Sequence, residues 1–308
     1  MKHLRIGTRG SLLAKWQAEF VRKQLFAATG AEAQIIIIKT AGDKMQQAPL
    51  TQIGGKGIFI KELEEALLDE SIDLAVHSVK DIPTETPPRL SFPAVCRRDD
   101  IRDCLISATG STLDNLRRGA RVGTSSLRRQ AQLLHLRPDL DIRELRGNVD
   151  TRLRKVEGGE YDAIVLAKAG LDRLGWGDRI SETFSPEVFM PAVGQGAIAV
   201  ETRLGDSQAA ELVEKLDDAE TRAAIIAERA LLKALQGGCQ VPIGAWARIE
   251  RGEMVLEACV TSVDGLQYVK RRLTGPPEHG AELGEKMARL LIDSGAQAIL
   301  EEVGRQRG

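Results

Sequence analysis

Eleven cations crowd the stretch between Arg117 and Lys155: Arg117, Arg118, Arg121, Arg128, Arg129, Arg137, Arg143, Arg146, Arg152, Arg154 and Lys155. Four acids accompany them, Asp139, Asp141, Glu144 and Asp150, so the segment sums to +7 in a chain whose net charge is −1. Arginine presents a planar fork that grips carboxylate or phosphate in bidentate fashion. Such a concentration points to a polyanionic ligand held in one place. A second feature is Cys239 in QGGCQVP, where two glycines and a proline let the backbone approach a bulky group. A loop-borne thiolate is a strong nucleophile, so Cys239 is a candidate for covalent attachment; an inert thiol is the other reading its chemistry leaves open. Cys96, Cys104 and Cys259 read as packing or surface thiols. The four cysteines form no CxxC pair and the four histidines no metal-ligand spacing, so no metal site is expected and each histidine is assigned a structural role.

At 308 residues, with 43% apolar and 28% charged side chains, the composition is that of a soluble globular protein of about two to three domains. Apolar runs such as Ile35–Ile38 and Ala163–Ala167 fall far short of the ~20 residues that span a bilayer. The beginning MKHLRIGTRGS has no signal-type apolar core, and a reducing cytoplasm is the expected compartment.

The elements that must position these residues alternate between strand and helix over the first two-thirds of the chain, the sign of α/β architecture. Strands are expected at Leu4–Gly7, Gln34–Lys39 (a β-branched run read as buried on both faces) and Ile72–Val76, with helices after Ser11 and over Lys61–Glu70. The pattern restarts near residue 121: strand Arg121–Gly123, helix Ser126–Leu136, strand Asp141–Leu145, helix Val149–Val156, strand Asp162–Ala167. IGTRGSL at Ile6 echoes VGTSSL at Val122, and IDLAV at Ile72 echoes YDAIV at Tyr161, which suggests two similar lobes facing a shared cleft. From about Ala219 a helix over Ala223–Leu235, three strands between Val241 and Leu273, and helices over Ala281–Asp293 and Ala296–Val303 read as a small α+β domain.

Ligands of open parallel sheets gather at the carboxyl ends of strands. Thr8, Arg9 and Ser11 fall at one such end, as do His77, Ser78, Lys80 and Asp81, then Thr124, Ser125 and Ser126, and finally Arg146, Gly147 and Asn148. Helix N-termini preceded by hydroxyl residues bind anions. Simple capping is the alternative for Thr8, Ser11 and Ser125. GGKG at Gly54–Gly57 lacks the spacing of a P-loop, and Gly194-Gln195-Gly196 with Ala199 runs into a strand where a dinucleotide fold needs a helix.

Taken together, HSVKDIP (His77–Pro83), VGTSSLRRQ (Val122–Gln130), LRGNVDTRL (Leu145–Leu153), PAVGQGA (Pro191–Ala197) and GGCQVPIG (Gly238–Gly244) resemble the porphobilinogen deaminase (hydroxymethylbilane synthase) family. TRGSLLA (Thr8–Ala14) and GGKGIFIKELE (Gly54–Glu64) agree, and the motifs run nearly end to end. The resemblance implies a transferase of porphyrin and haem biosynthesis that joins porphobilinogen head to tail into a linear tetrapyrrole with release of ammonia. It implies a dipyrromethane cofactor held through a thioether to Cys239. Asp81 takes the catalytic position, where a carboxylate can stabilise charge on pyrrole N–H groups and move protons. Ser78, Lys80, Asp81, Thr124, Ser126, Arg128, Arg129, Arg146 and Gly147 match cofactor contacts. Arg9, Ser11, Arg146, Arg152, Arg173 and Gln195 match substrate contacts, and Lys56 and Phe59 a loop over the site.

The implied fold is two periplasmic-binding-protein-like α/β lobes, residues 1–97 with 197–215 and 101–192, plus a cofactor-bearing α+β domain at 219–308. Crossings near Asp99–Arg102 and Pro191–Gln195 are implied as hinges, and the implied state is a monomer. Asp150 is a departure, standing where members often carry a small or neutral residue. A nucleic-acid-binding module would also concentrate arginine, but aromatics are only 4% of residues and the chain is not basic overall. A periplasmic-type anion-binding protein would have two lobes but no use for Cys239. No nucleic acid and no membrane are therefore expected as partners.

Overall fold

A computed structural model describes residues 3–40, 60–235 and 241–305. In chain order the strands and main helices are β1 (Leu4–Thr8), α1 (Leu12–Thr29), β2 (Ala33–Ile37), α2 (Lys61–Leu68), β3 (Leu74–Ser78) and β4 (Leu90–Val95). Then follow β5 (Asp103–Ser107), β6 (Arg121–Gly123), α3 (Leu127–Leu136), β7 (Asp141–Arg143), α4 (Val149–Glu157), β8 (Ala163–Ala167), α5 (Lys168–Arg173) and β9 (Glu182–Thr183). The last third holds β10 (Ile198–Arg203), α6 (Ser207–Glu214), α7 (Ala219–Ala234), β11 (Ile243–Glu250), β12 (Glu253–Thr261), β13 (Tyr268–Gly275), α8 (Gly280–Leu291) and α9 (Gln297–Arg305). Two compact units result, one of Met1–Asp99 with Gly196–Arg222, the other of Asp100–Gln195 with Ala223–Gly308.

The first unit carries one five-stranded sheet, ordered β2-β1-β3-β10-β4, with β10 antiparallel to both neighbours. Alternate strand residues face opposite sides. Leu4, Ile6, Leu74, Val76, Ile198 and Val200 pack against α1 and α6, while Ala75 meets Leu63 and Leu67 of α2 on the other side. The expected strand Gln34–Lys39 forms instead as β2 and lies at the sheet edge, with residues half-buried or exposed rather than enclosed on both faces. β4, which sequence patterning did not reveal, contains Pro93; proline is tolerated at an edge, where one row of N–H groups has no ladder partner.

In the second unit the order is β7-β6-β8-β5-β9, the same plan with β5 as the antiparallel member. Val122, Ala163 and Val165 pack on Leu133 of α3, whereas Ile164 and Leu166 pack on Leu153 of α4 and Leu171 of α5. The echo between the lobes extends to side chains. Asp73 accepts from the backbone N–H of Arg5 at 2.9 Å, and Asp162 from that of Arg121 at 2.7 Å. Ile6 pairs with Leu74 and Val122 with Ala163, so the carboxylate sits in the same register in both sheets. The unit also contains a meander, β11-β12-β13, whose inner face buries Ala245, Leu256 and Ala258 against Ala227 and Leu231 of α7 and Met287 and Leu291 of α8. The fold is thus α/β, with two like-patterned sheets and a small C-terminal α+β part.

Candidate functional site

In the first unit the carboxyl ends of β1 and β3 lie side by side, because the two strands are parallel neighbours. The chain leaves β1 toward β2 on one side while β3 pairs on the other, which is the crevice-forming arrangement of an open sheet. Thr8 ends β1 and donates its hydroxyl to Ala14 O at 2.9 Å. Half-buried Arg9 follows, and Ser11 caps α1 by accepting from Ala14 N at 3.3 Å. Gln17 of α1 donates to Ser78 Oγ at 2.8 Å, fixing the helix to the end of β3.

After Ser78 the chain makes a single 3₁₀ turn, Val79–Asp81. Val79 and Ile82 are buried, and Val79 N donates to Ala197 O at 3.0 Å. That clamp leaves Lys80 half-buried and turns Asp81 out to solvent. Behind the turn His77 Nε2 lies 2.9 Å from Glu201 Oε2, both side chains enclosed. Burial, then repulsion from Glu201, raises the nearby Glu64 carboxyl above its usual range. His77 is therefore a structural histidine of the strand that carries Asp81.

The second unit assembles its own cluster. Thr124 follows β6, donates its N–H to Arg143 O at 2.9 Å, and accepts from Ser126 N at 3.1 Å. Ser126 caps α3 by accepting from Arg129 N. Arg146 donates to Glu144 at 2.7 Å, and Arg152 Nε donates to Gly147 O at 2.8 Å. Gly147 has φ +109°, and a Cβ there would meet Thr151 Cγ2 at 2.9 Å, so this turn requires glycine. Arg173 ends α5, half-buried.

Arg128 and Arg129 turn inward, which their motif did not reveal. Arg129 donates to Asp103 Oδ1 through Nη2 at 2.7 Å and to Val165 O through Nη1 at 3.0 Å. Arg128 Nη2 pairs with Asp103 Oδ2 at 2.8 Å, and its Nη1 donates to Met190 O at 2.6 Å. Gln195 Nε2 reaches the same carboxylate at 3.1 Å. Burial alone would push the Asp103 carboxyl up; the two guanidiniums outweigh it and hold it at about 2. Burial lowers Arg128 from its usual value. The only sequence signal for Asp103 was an acid opening the apolar run Cys104–Ile106.

The cation-rich segment is therefore not a bare patch. Arg117 and Arg121 pair with Asp162, Arg137 with Asp139, Arg143 with Asp141, Arg154 with Asp150 and Lys155 with Glu160. Asp103, Asp162 and Glu160 lie outside the segment in sequence, which is why a count along the chain overstated its charge.

Cys96, Cys104 and Cys259 are all buried, and burial, then the Asp103 charge, pushes the Cys104 thiol up to about 12. Cys239, Lys56 and Phe59 lie outside the described residues. Among the described residues no cluster of His, Cys, Asp or Glu could hold a metal ion, and no helix is long and apolar enough to cross a membrane.

The family model "porphobilinogen deaminase, dipyromethane cofactor binding domain" matches residues 4–211, and the family's C-terminal domain matches 222–293. The chain belongs to the porphobilinogen deaminase family. The porphobilinogen deaminase of Syntrophotalea carbinolica is 50% identical over 96% of this chain and 95% of its own. Those of Trichlorobacter lovleyi and Syntrophobacter fumaroxidans are 48% and 46% identical, with at least 97% of either chain covered. A periplasmic substrate-binding protein from Coxiella burnetii resembles the chain at 16% identity and a TM-score of 0.42, over 69% of this chain and 91% of that one, a likeness too slight to argue from.

Membership in the porphobilinogen deaminase family brings a dipyrromethane cofactor, and the donor set suits such a polycarboxylate. Two buried guanidiniums face one carboxylate, leaving a positive charge in excess, and the buried Nε of Arg128 has no hydrogen-bond partner. The chain is a transferase that polymerises porphobilinogen head to tail with release of ammonia.

Proposed function

We propose that Asp81 carries the chemistry and that Cys239 holds the dipyrromethane through a thioether. When bound, that group would supply the terminal pyrrole to which the first porphobilinogen is joined, each later one joining the ring added before it. The observation that carries the reading is the exposed Asp81 carboxylate at the carboxyl end of a central strand, clamped by buried Val79 and Ile82. A fixed carboxylate there stabilises positive charge on pyrrole N–H groups as ammonia leaves the aminomethyl carbon. It can also take the proton released from the attacking α-carbon once the new carbon–carbon bond has formed.

Arg9, Ser11, Ser78 and Lys80 in the first unit are proposed to hold acetate and propionate groups beside Asp81. Thr124, Ser126, Arg146, Gly147, Arg152 and Arg173 are proposed to hold such groups in the second. Arg128, Arg129 and Gln195 contribute through the Asp103 cluster, whose excess charge favours an anion at the start of α3. Lys56 and Phe59 are proposed as a cover over the site. The three separate sheets fit a division into lobes 1–97 with 197–215 and 101–192 and a cofactor domain 219–308. A monomer in the reducing cytoplasm, without nucleic acid or membrane, completes the proposal.

The test is intact mass followed by peptide mapping. The purified protein should weigh more than its sequence by one dipyrromethane, located on Cys239, and Cys239→Ser should abolish both adduct and turnover. An adduct on Cys96, Cys104 or Cys259, or full turnover by Cys239→Ser, would overturn it.

A further inference from the structure

One turn after Arg128, α3 buries an amide that neither the sequence motifs nor the proposed chemistry uses. Gln132 is 1% exposed. Its Oε1 accepts from Met190 N at 2.6 Å, and its Nε2 donates to Met190 O at 3.0 Å. Arg128 donates to the same carbonyl. The next residue, Pro191, accepts from Ala245 N of β11 at 3.0 Å. Met190 also lies directly against Gly244 of β11, where a Cβ would stand 2.7 Å from Met190 Cγ. A few residues on, Gly194 N and Ala247 N donate to the two oxygens of Glu228 in α7, at 2.7 and 2.8 Å. The segment 190–194 is thus gripped from one side by α3 and from the other by β11 and α7.

β11 is also the strand that leaves the Cys239 loop. Three residues separate Cys239 from Ile243, so the four steps between them reach at most about 14 Å of extended chain. The helix whose N-terminal end offers anion anchors and the strand next to the attachment cysteine therefore meet on one dipeptide, Met190-Pro191. We infer that Gln132 is a positioning residue for the cofactor, setting where β11 stands relative to α3. The inference rests on the reading that Cys239 carries the dipyrromethane. An amide suits this task because it satisfies both backbone groups of one residue at once, and an apolar side chain of the same size would leave Met190 N–H buried without a partner.

Three variants test it. Gln132→Met keeps the volume and removes both bonds to Met190, along with the one from Nε2 to Arg128 O at 3.3 Å. Gln132→Glu keeps the acceptor for Met190 N–H but replaces the Nε2 donor with an oxygen that faces Met190 O and Arg128 O with no proton between them. Gly244→Ala pushes β11 from Met190, with Cys259 Sγ the next neighbour at 3.1 Å, and removes none of the Gln132 hydrogen bonds. The readouts are thermal unfolding, the rate at which apoprotein given porphobilinogen gains adduct mass on Cys239, and kcat and KM separately. Displacements of about an ångström can cost up to a hundredfold in rate, so Gln132→Met and Gly244→Ala should acquire cofactor about tenfold or more slowly, with kcat reduced and KM nearly unchanged. Gln132→Glu should be impaired as well, because its second oxygen opposes two carbonyl oxygens. Wild-type acquisition by Gln132→Met or Gly244→Ala would overturn the inference, as would defects that merely follow lost thermal stability across the three variants with kcat and KM changing together. Absence of any Cys239 adduct in the unsubstituted chain would instead overturn the functional reading on which the inference rests.

Discussion

At the residue scale the clusters of the two units use charge in opposite ways. Asp81 is a carboxylate turned outward on a clamped turn, whereas Asp103 is a carboxylate sealed inside its lobe and answered by two guanidiniums. The first can act on a ligand. The second organises the groups around it, and removing one partner of such a buried pair costs about 3–5 kcal/mol through the charge left behind. A substitution at Arg129 is therefore read first as damage to the lobe, not as loss of a ligand contact. Asp81 should behave differently. Asp81→Asn keeps size and one acceptor oxygen but deletes the charge, so it should fold, carry adduct, and turn over orders of magnitude more slowly. Asp81→Glu, with the charge displaced by one methylene, should keep some activity. Single-turnover ammonia release on cofactor-loaded protein measures this, and near-normal rates for the Asn variant would move the chemistry to another group.

At the element scale a glycine within β1 and another within β6 mark where close approach decides the fold. Gly7 and Gly123 stand at matching positions of β1 and β6, below Ile72 in one lobe and Tyr161 in the other. A Cβ on Gly123 would lie 2.8 Å from the Tyr161 ring and 2.9 Å from Leu145 Cδ2. Overpacking of this kind costs about 1–3 kcal/mol, so Gly123→Ala should lower the urea midpoint by that equivalent without changing the m-value. An unchanged midpoint would mean that the Tyr161 side moves aside freely. Much of this level was legible in the sequence. Residue patterning located α2, α3 and α8 to within a few residues, and the echoes at Ile6 and Val122 pointed to the repeated plan. Three features were hidden because they depend on tertiary partners. β4 and β5 are strands only because β10 and β8 pair with them. The run Ile35–Ile38 looked enclosed, although its position in the sheet is an edge. Arg128 and Arg129 sit in a motif that matches anion binding, and only the three-dimensional approach of Asp103 shows where their forks point.

At the scale of the whole molecule, each unit is built around a buried carboxylate answered by arginines. In the first, burial would raise the Asp73 carboxyl, but hydrogen bonds from Arg5 and Arg203 prevail and hold it well below the usual carboxylate range. In the second, Arg128 and Arg129 hold Asp103 at about 2, against an ordinary value of 3.8. For a group whose folded-state value is depressed, the stabilising contribution is complete above the ordinary value and disappears as pH falls toward the folded one. Both units should therefore be insensitive to pH from neutrality down to about 4, through these two groups, and lose stability steadily from there toward about 2. Salt should change this little, because enclosed pairs are screened far less than surface ones. Urea midpoints measured between pH 6 and 2 for the unsubstituted chain, Asp73→Asn and Asp103→Asn give the check. Each Asn variant should start lower at pH 6, since it leaves guanidiniums without their counter-charge, and should draw closer to the parent curve as pH falls toward 2, Asp103→Asn more than Asp73→Asn, because the parent's Asp73 is held lower and stays ionised further. Parallel curves that never converge would show that the loss at neutral pH comes from altered packing and not from the missing charge.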